Sequence, residues 1–224
     1  MKRILAAFLC LLCLSGTAAA ANEEYLVALT FDDGPSGRFT RRLLDGLRER
    51  DVHATFLLCG YRIAQYPKET KRIVQEGHEV GLHGYSHAPM NLMSRQQLQK
   101  ELSDTLALLP KNCPVAFLRP PGGSMNTLVR TVAKENDLAI LSWSVDPKDW
   151  EVRDAAAVER SVVDQVEDGD IILLHDMSDS SVDAALAIVD KLLAKGFRFV
   201  TASQLARSKE IALQPGKTYT RFRD

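Results

Sequence analysis

The sequence predicts a single domain with a parallel α/β fold. Short apolar runs with strand composition alternate along the chain with segments in which apolar residues recur at helical spacing. One run, 171–174, is apolar throughout, as is typical of strands buried on both faces of a parallel sheet. Neither a Gly-x-Gly-x-x-Gly motif nor a Walker-type loop is present, which counts against the common nucleotide-binding folds. On this pattern alone, a barrel and a doubly wound sheet both remain possible.

In the first half of the chain, three strands alternate with helices. The apolar run Tyr25–Phe31 predicts a buried strand, and Gly34-Pro35 forms the turn that stops it. Ser94 and Gln97 have the spacing of a capping box and predict the start of a helix. The predicted strands are 25–33, 52–58 and 78–83, and the predicted helices lie near 39–47, 67–76 and 94–109.

The second half continues the alternation with four more strands. Asp154 is a predicted helix N-cap, and Gly196 is predicted to follow a helix as its C′ residue. The predicted strands are 115–118, 138–145, 171–174 and 197–201, and the helices are 125–136, 154–166, 182–194 and a short one from 203.

Composition indicates an ordinary globular protein. The chain has 224 residues, of which 46% are hydrophobic and 25% charged, enough for one domain with a full core. The net charge of -1 gives no indication of a nucleic-acid-binding surface, so we expect no nucleic-acid partner.

The N-terminus has the pattern of a secretory signal peptide. A basic start at 1–3 precedes an apolar stretch at 4–14 and a run of small residues at 15–21. The apolar stretch is too short to span a bilayer comfortably, so an uncleaved membrane anchor is the minority alternative. We therefore expect an extracytoplasmic protein with no membrane span after cleavage. The predicted organisation is a signal peptide at 1–21, one domain at 22–208, and a C-terminal tail at 209–224 with no assigned function.

Two cysteines remain beyond the predicted signal peptide. Cys59 ends a predicted strand, whereas Cys113 precedes another. In a parallel sheet these positions lie at opposite ends, too far apart for a disulfide. We expect two unpaired cysteines.

Two adjacent carboxylates, Asp32 and Asp33, end the first predicted strand. Side by side at the end of a buried strand, they repel each other and lose hydration. A metal ion bound by one carboxylate would offset this cost and leave the other free as a base. The alternative is an ordinary turn, since Asp, Gly and Pro are common turn residues.

Further reactive groups fall at the carboxyl ends of other predicted strands, the face that carries active sites in a barrel. Two histidines and one aspartate would make a three-ligand site with open positions, typical of a catalytic rather than a structural metal. Such a ligand set suits Zn²⁺, with Co²⁺ or Ni²⁺ as alternatives. His53 and His78 are expected to be a surface and a structural residue. The reactive groups are Asp32, Asp33, His83, His87, Arg119, Asp146, Asp149 and His175.

Together these residues resemble the NodB-type polysaccharide deacetylases, carbohydrate esterase family four. The likeness extends over about 25–206, and the five motifs of the family occur in order. The first motif, Thr30-Phe-Asp-Asp-Gly-Pro35, implies that Asp32 is the general base and Asp33 a metal ligand. The second implies that His83 and His87 complete the metal site. The family fold is a distorted (β/α) barrel, often seven-stranded, which favours the barrel over the doubly wound sheet.

The other three motifs imply the remaining roles. Arg119, in Arg-Pro-Pro-Gly-Gly123, would tether the base. Asp149 and Trp150 would tune the acid and line the acetyl pocket. Leu173 would also line that pocket, and His175 would be the general acid.

Two positions depart from the family pattern. Gly122 stands where an aromatic residue usually follows Pro-Pro, and Leu82 stands where Asn usually precedes the first histidine. Gly122 keeps the backbone N–H that helps to stabilise the oxyanion, so both changes concern the fit of the substrate more than the chemistry.

The resemblance implies a secreted, metal-dependent N-deacetylase that acts on N-acetylglucosamine-type glycans. Peptidoglycan is the first expected substrate, followed by chitin oligomers and exopolysaccharide. A metal-dependent amidase on a small non-sugar amide and a glycan-binding module without catalysis are the alternatives. The linkage, the metal used in the cell, the oligomeric state and any protein partners stay open.

Overall fold

A computed structural model describes residues 25–223. The predicted signal peptide, 1–21, lies outside the described residues. Among the helices of 25–223, none is both long enough and apolar enough to cross a membrane.

All named strands of the described chain join one curled, parallel sheet. The strand order is β6-β1-β2-β3-β4-β5-β8, and β7 pairs with the first residues of β1. The strands are β1 (Tyr25–Asp32), β2 (Thr55–Leu58), β3 (Glu79–Leu82), β4 (Val115–Leu118), β5 (Ala139–Leu141), β6 (Ile171–His175), β7 (Phe197–Phe199) and β8 (Thr218–Tyr219). The helices are α1 (Arg38–Glu49), α2 (Gly60–Gln65), α3 (Pro67–Gln75), α4 (Arg95–Leu106), α5 (Thr127–Glu135), α6 (Asp149–Val152), α7 (Ala155–Val163), α8 (Asp179–Ala194) and α9 (Ala202–Ser208).

The two ends of the sheet approach each other, which makes the fold a distorted barrel. Beyond β5, Val145 forms a parallel bridge with Ile172 of β6, and Asp170 forms an antiparallel bridge with Arg221. The sheet therefore curls so that the segment after β5 reaches the edge strand β6. The predicted barrel is confirmed.

The alternation of side chains along β1 separates the core from the barrel interior. Leu29 and Phe31 are fully buried against the outer helices, whereas Thr30 faces inward, where its hydroxyl donates to Ile172 O at 2.7 Å. Because successive side chains of a strand point to opposite faces, Asp32 also faces the interior, at the carboxyl end.

Most of the predicted elements are present, with local differences. β4 has the predicted bounds, and Ser94 and Asp154 cap α4 and α7 as expected. Gly196 follows α8 at φ +89°, as its C′ position requires. Cys59 and Cys113 are free thiols, which confirms that prediction.

Two short helices and an eighth strand were absent from the predicted order. α2 and α6 are only six and four residues long, too short for a periodic pattern to identify. The segment 209–224, which the sequence sets apart as a tail, supplies β8 next to β5. Tyr219 and Phe222 of this segment are buried in the core, so its described residues pack as part of the barrel.

Candidate active site

A cavity of about 580 Å³ opens at the carboxyl ends of the strands. Eight of the ten predicted site residues line it, and the other two, Arg119 and Asp149, are buried. The register of the sheet accounts for this convergence, because Asp32 lies directly beside His175 in the pairing of β1 with β6. The eight lining residues are Asp32, Asp33, His83, His87, Gly122, Trp150, Leu173 and His175.

Arg119 is fully buried and fixes Asp32. Its Nη1 donates to Asp32 Oδ1 at 2.6 Å and to Thr30 Oγ1 at 2.9 Å. Its Nε and Nη2 donate to the backbone carbonyls of Leu141 and Ser142, both at 2.9 Å. Since every nitrogen of the guanidinium has a partner, the ion pair has one geometry. Asp32 is therefore held rigidly, with Oδ2 facing the His83 side of the cavity.

Asp33, His83 and His87 form the cluster among residues 25–223 that could hold a metal ion. One ligand atom from each lies within 4.8 Å of the other two. Asp33 Oδ1 is 3.2 Å from His83 Nε2 and 2.9 Å from His87 Nε2. Burial opposes the ionisation of Asp33, but the two imidazoles hold its pKa well below the usual range of a carboxyl group. Asp33 is thus ionised at neutral pH, as a carboxylate ligand of a cation would have to be.

The chemistry of this cluster fits a divalent cation. Asp33 Oδ1 is buried and, despite the short distances to both imidazoles, takes part in no hydrogen bond of acceptable geometry. Two ligands about 2.0–2.1 Å from a shared ion lie about 2.9–3.4 Å apart, and both of these distances fall in that range. Two imidazole nitrogens with one carboxylate oxygen are a common donor set for Zn²⁺ and for neighbouring transition metals.

The residues behind the ligands orient them. His83 Nδ1 is 2.7 Å from the carbonyl oxygen of Arg119, which assigns the proton to Nδ1 and leaves the lone pair on Nε2. The loop between the two histidines is held by Glu101 of α4. Its Oε2 accepts the backbone N–H groups of Tyr85 at 2.6 Å and Ser86 at 2.8 Å. Its Oε1 accepts the Ser86 hydroxyl at 2.7 Å.

His175 faces the cluster and is paired with buried Asp149. His175 Nδ1 is 2.8 Å from Asp149 Oδ1, and the backbone N–H of His175 donates to Asp149 Oδ2 at 3.0 Å. Burial alone would lower the pKa of His175. The hydrogen bond and charge of Asp149, with the charges of Asp32 and Asp33, instead raise that pKa to about 9. His175 is therefore a proton donor at neutral pH, with Nε2–H as the available group.

The residues predicted to contact substrate line the walls of the cavity. Trp150 is 56% exposed and presents its ring at the opening, whereas Leu173 is 5% exposed. Gly122 adopts φ +59°, and a Cβ built there would meet nothing within 4 Å. The wall is therefore open where the family usually has an aromatic side chain.

Trp143 also lines the cavity and is not among the predicted site residues. The predicted strand 138–145 placed it inside a strand, but β5 ends at Leu141 and Trp143 lies beyond the strand end. Its ring packs near Gly123, where an added Cβ would lie 3.2 Å away, and Arg119 lies over it at 5.7 Å. Two serines flank Trp143, and this break in an apolar run is the signal that could have indicated the end of the strand.

Arg153 and Glu101 were also missed. Arg153 lines the cavity but follows α6, whose four residues left no pattern in the sequence. Glu101 lies on a helix 15 and 16 residues from the backbone groups that it binds. No local signal in the sequence marks either contact.

Comparisons with known proteins find relatives that match most of the chain. The family model for polysaccharide deacetylase matches residues 19–141. A peptidoglycan-N-acetylglucosamine deacetylase of Bacillus cereus is 38% identical over 195 residues, which cover 84% of this chain and 91% of that protein. The peptidoglycan-N-acetylmuramic acid deacetylase PdaC of Bacillus subtilis is also 38% identical over 84% of this chain. The match covers only 40% of PdaC, so the chain spans about two fifths of that relative.

A solved structure has the same fold. The family 4 acetyl xylan esterase of Clostridium thermocellum, determined with a cobalt ion, superposes with a TM-score of 0.81 at 33% identity. The superposition covers 88% of this chain and 98% of the esterase.

Proposed function

The chain belongs to the polysaccharide deacetylase family, and from that membership we propose that it is a secreted, metal-dependent N-deacetylase. It hydrolyses the acetamide groups of N-acetylglucosamine-type glycans. Peptidoglycan is the first expected substrate, because relatives named for peptidoglycan cover most of the chain, with chitin oligomers and exopolysaccharide next. The signal-peptide pattern at 1–21 supports secretion.

One observation carries the proposal. A fixed carboxylate, Asp32, and a protonated imidazole, His175, flank a three-residue cluster suited to a divalent cation, within one cavity. Amide hydrolysis needs a base for the attacking water and an acid for the leaving amine, and this arrangement supplies both.

Asp33, His83 and His87 would hold the metal, with Zn²⁺ favoured and Co²⁺ or Ni²⁺ as alternatives. Such a cation supplies Lewis acidity, which polarises a carbonyl and lowers the pKa of water from about 15.7 to about 7.

The residues of the chain perform the proton transfers. Arg119 occupies Oδ1 of Asp32, so Oδ2 is the oxygen available to take a proton from the attacking water. His175 donates the proton at Nε2 to the departing amine, while Asp149 holds Nδ1. The products are acetate and a free amino sugar. Trp150 and Leu173 enclose the acetyl group, and the backbone N–H of Gly122 is the proposed donor to the oxyanion.

The proposal is tested by acetate release from N-acetylglucosamine oligomers and from peptidoglycan. The protein is treated with chelator and then given Zn²⁺ or Co²⁺, and acetylated xylan serves as an O-acetyl comparison. Metal-restored release from either N-acetylated glycan is the expected result. No release from any glycan, with one equivalent of metal bound, would indicate a small-amide hydrolase. No release and no bound metal would favour a binding module without catalysis.

A further inference from the structure

The rim of the cavity carries a cation that the proposed chemistry does not use. Arg153 lines the cavity, and its Nε donates to the carbonyl oxygen of Trp150 at 3.3 Å. Its two terminal nitrogens have no hydrogen-bond or ion-pair partner within 25–223. The neighbouring carboxylate, Asp154, is committed elsewhere, because its Oδ1 caps α7 by accepting the N–H groups of Ala156 and Ala157. The guanidinium is thus held at one nitrogen and free at the other two.

The backbone at this position is strained. Arg153 adopts φ +52° at the end of α6, a left-handed conformation in which Gly or Asn is favoured over a long side chain. Asp33 and His87 of the candidate metal cluster share the conformation, and so do residues at turns and helix ends outside the cavity, such as Asp51 and Glu210.

The surroundings of Arg153 suit a substituted sugar. Trp150, whose carbonyl holds Arg153, exposes its ring at the same rim, and an exposed indole offers an apolar face to a pyranose ring. At Gly122 the wall is open, with no atom within 4 Å of an added Cβ. The cavity that Arg153 lines therefore also has an exposed aromatic face at Trp150 and open space at Gly122.

Most of the other charges that line the cavity are already paired. Asp32 is bound by Arg119, and Asp33 lies against the two histidines. Asp146 differs, because the hydrogen bond that its Oδ1 accepts comes from the neutral backbone N–H of Lys148. Arg153 is consequently a cation available to an anionic ligand, and its planar guanidinium matches a carboxylate.

We propose that Arg153 binds a carboxylate carried by the glycan, so that the enzyme favours N-acetylated sugars with an acidic substituent. The inference rests on the proposed function and narrows its substrate class. Two sources share this chemistry: the lactyl carboxylate of N-acetylmuramic acid, free where the peptide stem is absent, and a uronic acid in an exopolysaccharide.

The test compares substrates that differ only in charge. Acetate release is measured on stem-free peptidoglycan strands and on the same strands after their carboxylates are converted to methylamides. Neutral chitin oligomers and an N-acetylated, uronate-containing polymer are the other arms. Arg153→Gln is compared with Arg153→Lys and with Arg160→Gln, which removes an exposed charge from α7 that does not line the cavity.

Arg153→Gln is expected to raise KM about fivefold on the acidic substrate, with kcat within about twofold, and to leave the methylamide unchanged. Added salt should shrink the difference. Arg153→Lys should restore part of the preference, and Arg160→Gln should match the wild type. The acidic substrate for which Arg153→Gln has the higher KM, stem-free peptidoglycan or the uronate-containing polymer, identifies the source of the carboxylate.

Equal losses on the charged and methylamide strands would overturn the inference and make Arg153 a structural residue. No loss on any substrate would also overturn it, while leaving the deacetylase proposal intact. If the wild type releases no acetate at all, the proposed function fails. In that case, the affinities of wild type and Arg153→Gln for the charged and the methylamide strands, measured by calorimetry, still decide whether Arg153 binds a carboxylate.

Discussion

Asp32 and Asp33 are neighbours in the chain, yet their side chains have different partners. Asp32 is the last residue of β1, and the strand directs its carboxylate inward onto Arg119. Asp33 adopts φ +70°, which breaks the strand and turns the second carboxylate toward His83 and His87. The positive φ angle of Asp33 thus directs the proposed metal ligand away from the proposed base, Asp32.

Replacing the proposed base should abolish turnover and leave metal binding intact. Asp32→Asn keeps an oxygen for Arg119 but cannot take up a proton, so kcat should fall by about 10²–10⁴. Metal content is measured by atomic absorption, and a melting curve checks the fold, because the variant removes the negative partner of a buried arginine. His83→Ala is the opposite control and should lose the metal. Activity above about a tenth of the wild type in Asp32→Asn would exclude Asp32 as the base.

A second buried carboxylate, Asp176, should make the free energy of unfolding depend on pH. Asp176 is fully buried, and within 25–223 its Oδ1 has no hydrogen-bond partner, while its other oxygen accepts the Thr40 hydroxyl. Burial raises the pKa of Asp176 to about 6, and the hydrogen bond from Thr40 offsets only part of that rise. Because the folded state binds the proton more tightly, the contribution of Asp176 to the free energy of unfolding falls as pH rises from about 4 to about 6.

Asp176→Asn removes this charge, so it should raise the free energy of unfolding at pH 7 by up to about 3 kcal/mol. The gain should shrink to about 0.5 kcal/mol near pH 4, where Asp176 is protonated in the folded state and about half protonated in the unfolded state. Urea denaturation at pH 4, 5, 6 and 7 measures the difference. The surface variant Asp164→Asn is the control for a general charge effect. A gain of the same size at every pH would refute the assigned pKa.

At the scale of elements, the metal cluster depends on a helix that contributes no ligand. The loop between His83 and His87 has little regular structure, and His87 itself lies at φ +61°. Glu101 of α4 holds the loop through three hydrogen bonds to Tyr85 and Ser86. Glu101 is thus a positioning residue for His87, because these hydrogen bonds fix the two residues that directly precede His87, including the side chain of Ser86.

Glu101→Gln should weaken divalent-metal affinity by about tenfold, because an amide cannot accept all three of these hydrogen bonds. Calorimetric titration of the metal-free protein with Zn²⁺ and Co²⁺ measures the affinity without reference to activity. Asp104→Asn is a matched control on the same helix, since Asp104 pairs only with Lys100 at the surface. Equal metal affinities in the wild type and Glu101→Gln would show that the loop between His83 and His87 keeps its conformation without Glu101.

At the scale of the whole molecule, what the sequence predicts well is local. The proposed ligands, base and acid each end a strand or lie within a few residues of one, so strand ends predicted from apolar runs also indicate these residues. The contributions of Glu101, Trp143 and Phe222 depend on where distant segments meet. Phe222, for example, donates its backbone N–H to Gly169, 53 residues earlier. The periodicity of apolar residues carries no information about contacts between segments that are distant in the sequence. The strand β8 has only two residues, too few for an alternating pattern.

The C-terminal segment closes the barrel, so removing its buried side chain should destabilise the whole domain. Phe222 is fully buried against Tyr219, with ring centroids 5.3 Å apart, next to the bridge between Asp170 and Arg221. Phe222→Ala should lower the free energy of unfolding by about 3–5 kcal/mol, as expected when a buried aromatic ring is removed.

Chemical denaturation measures the loss, and Thr220→Ala, at an exposed neighbour, is the control. Phe222→Leu should recover part of the stability because it refills much of the volume. If Phe222→Ala were as stable as Thr220→Ala, the segment 209–223 would be an appendage to a barrel that is stable without it. A large loss confined to Phe222 would instead show that the domain extends to this residue. The strands that carry Asp32 and His175 would then depend on a segment about 45 residues beyond the last motif, because the Asp170–Arg221 bridge ties it to the start of β6.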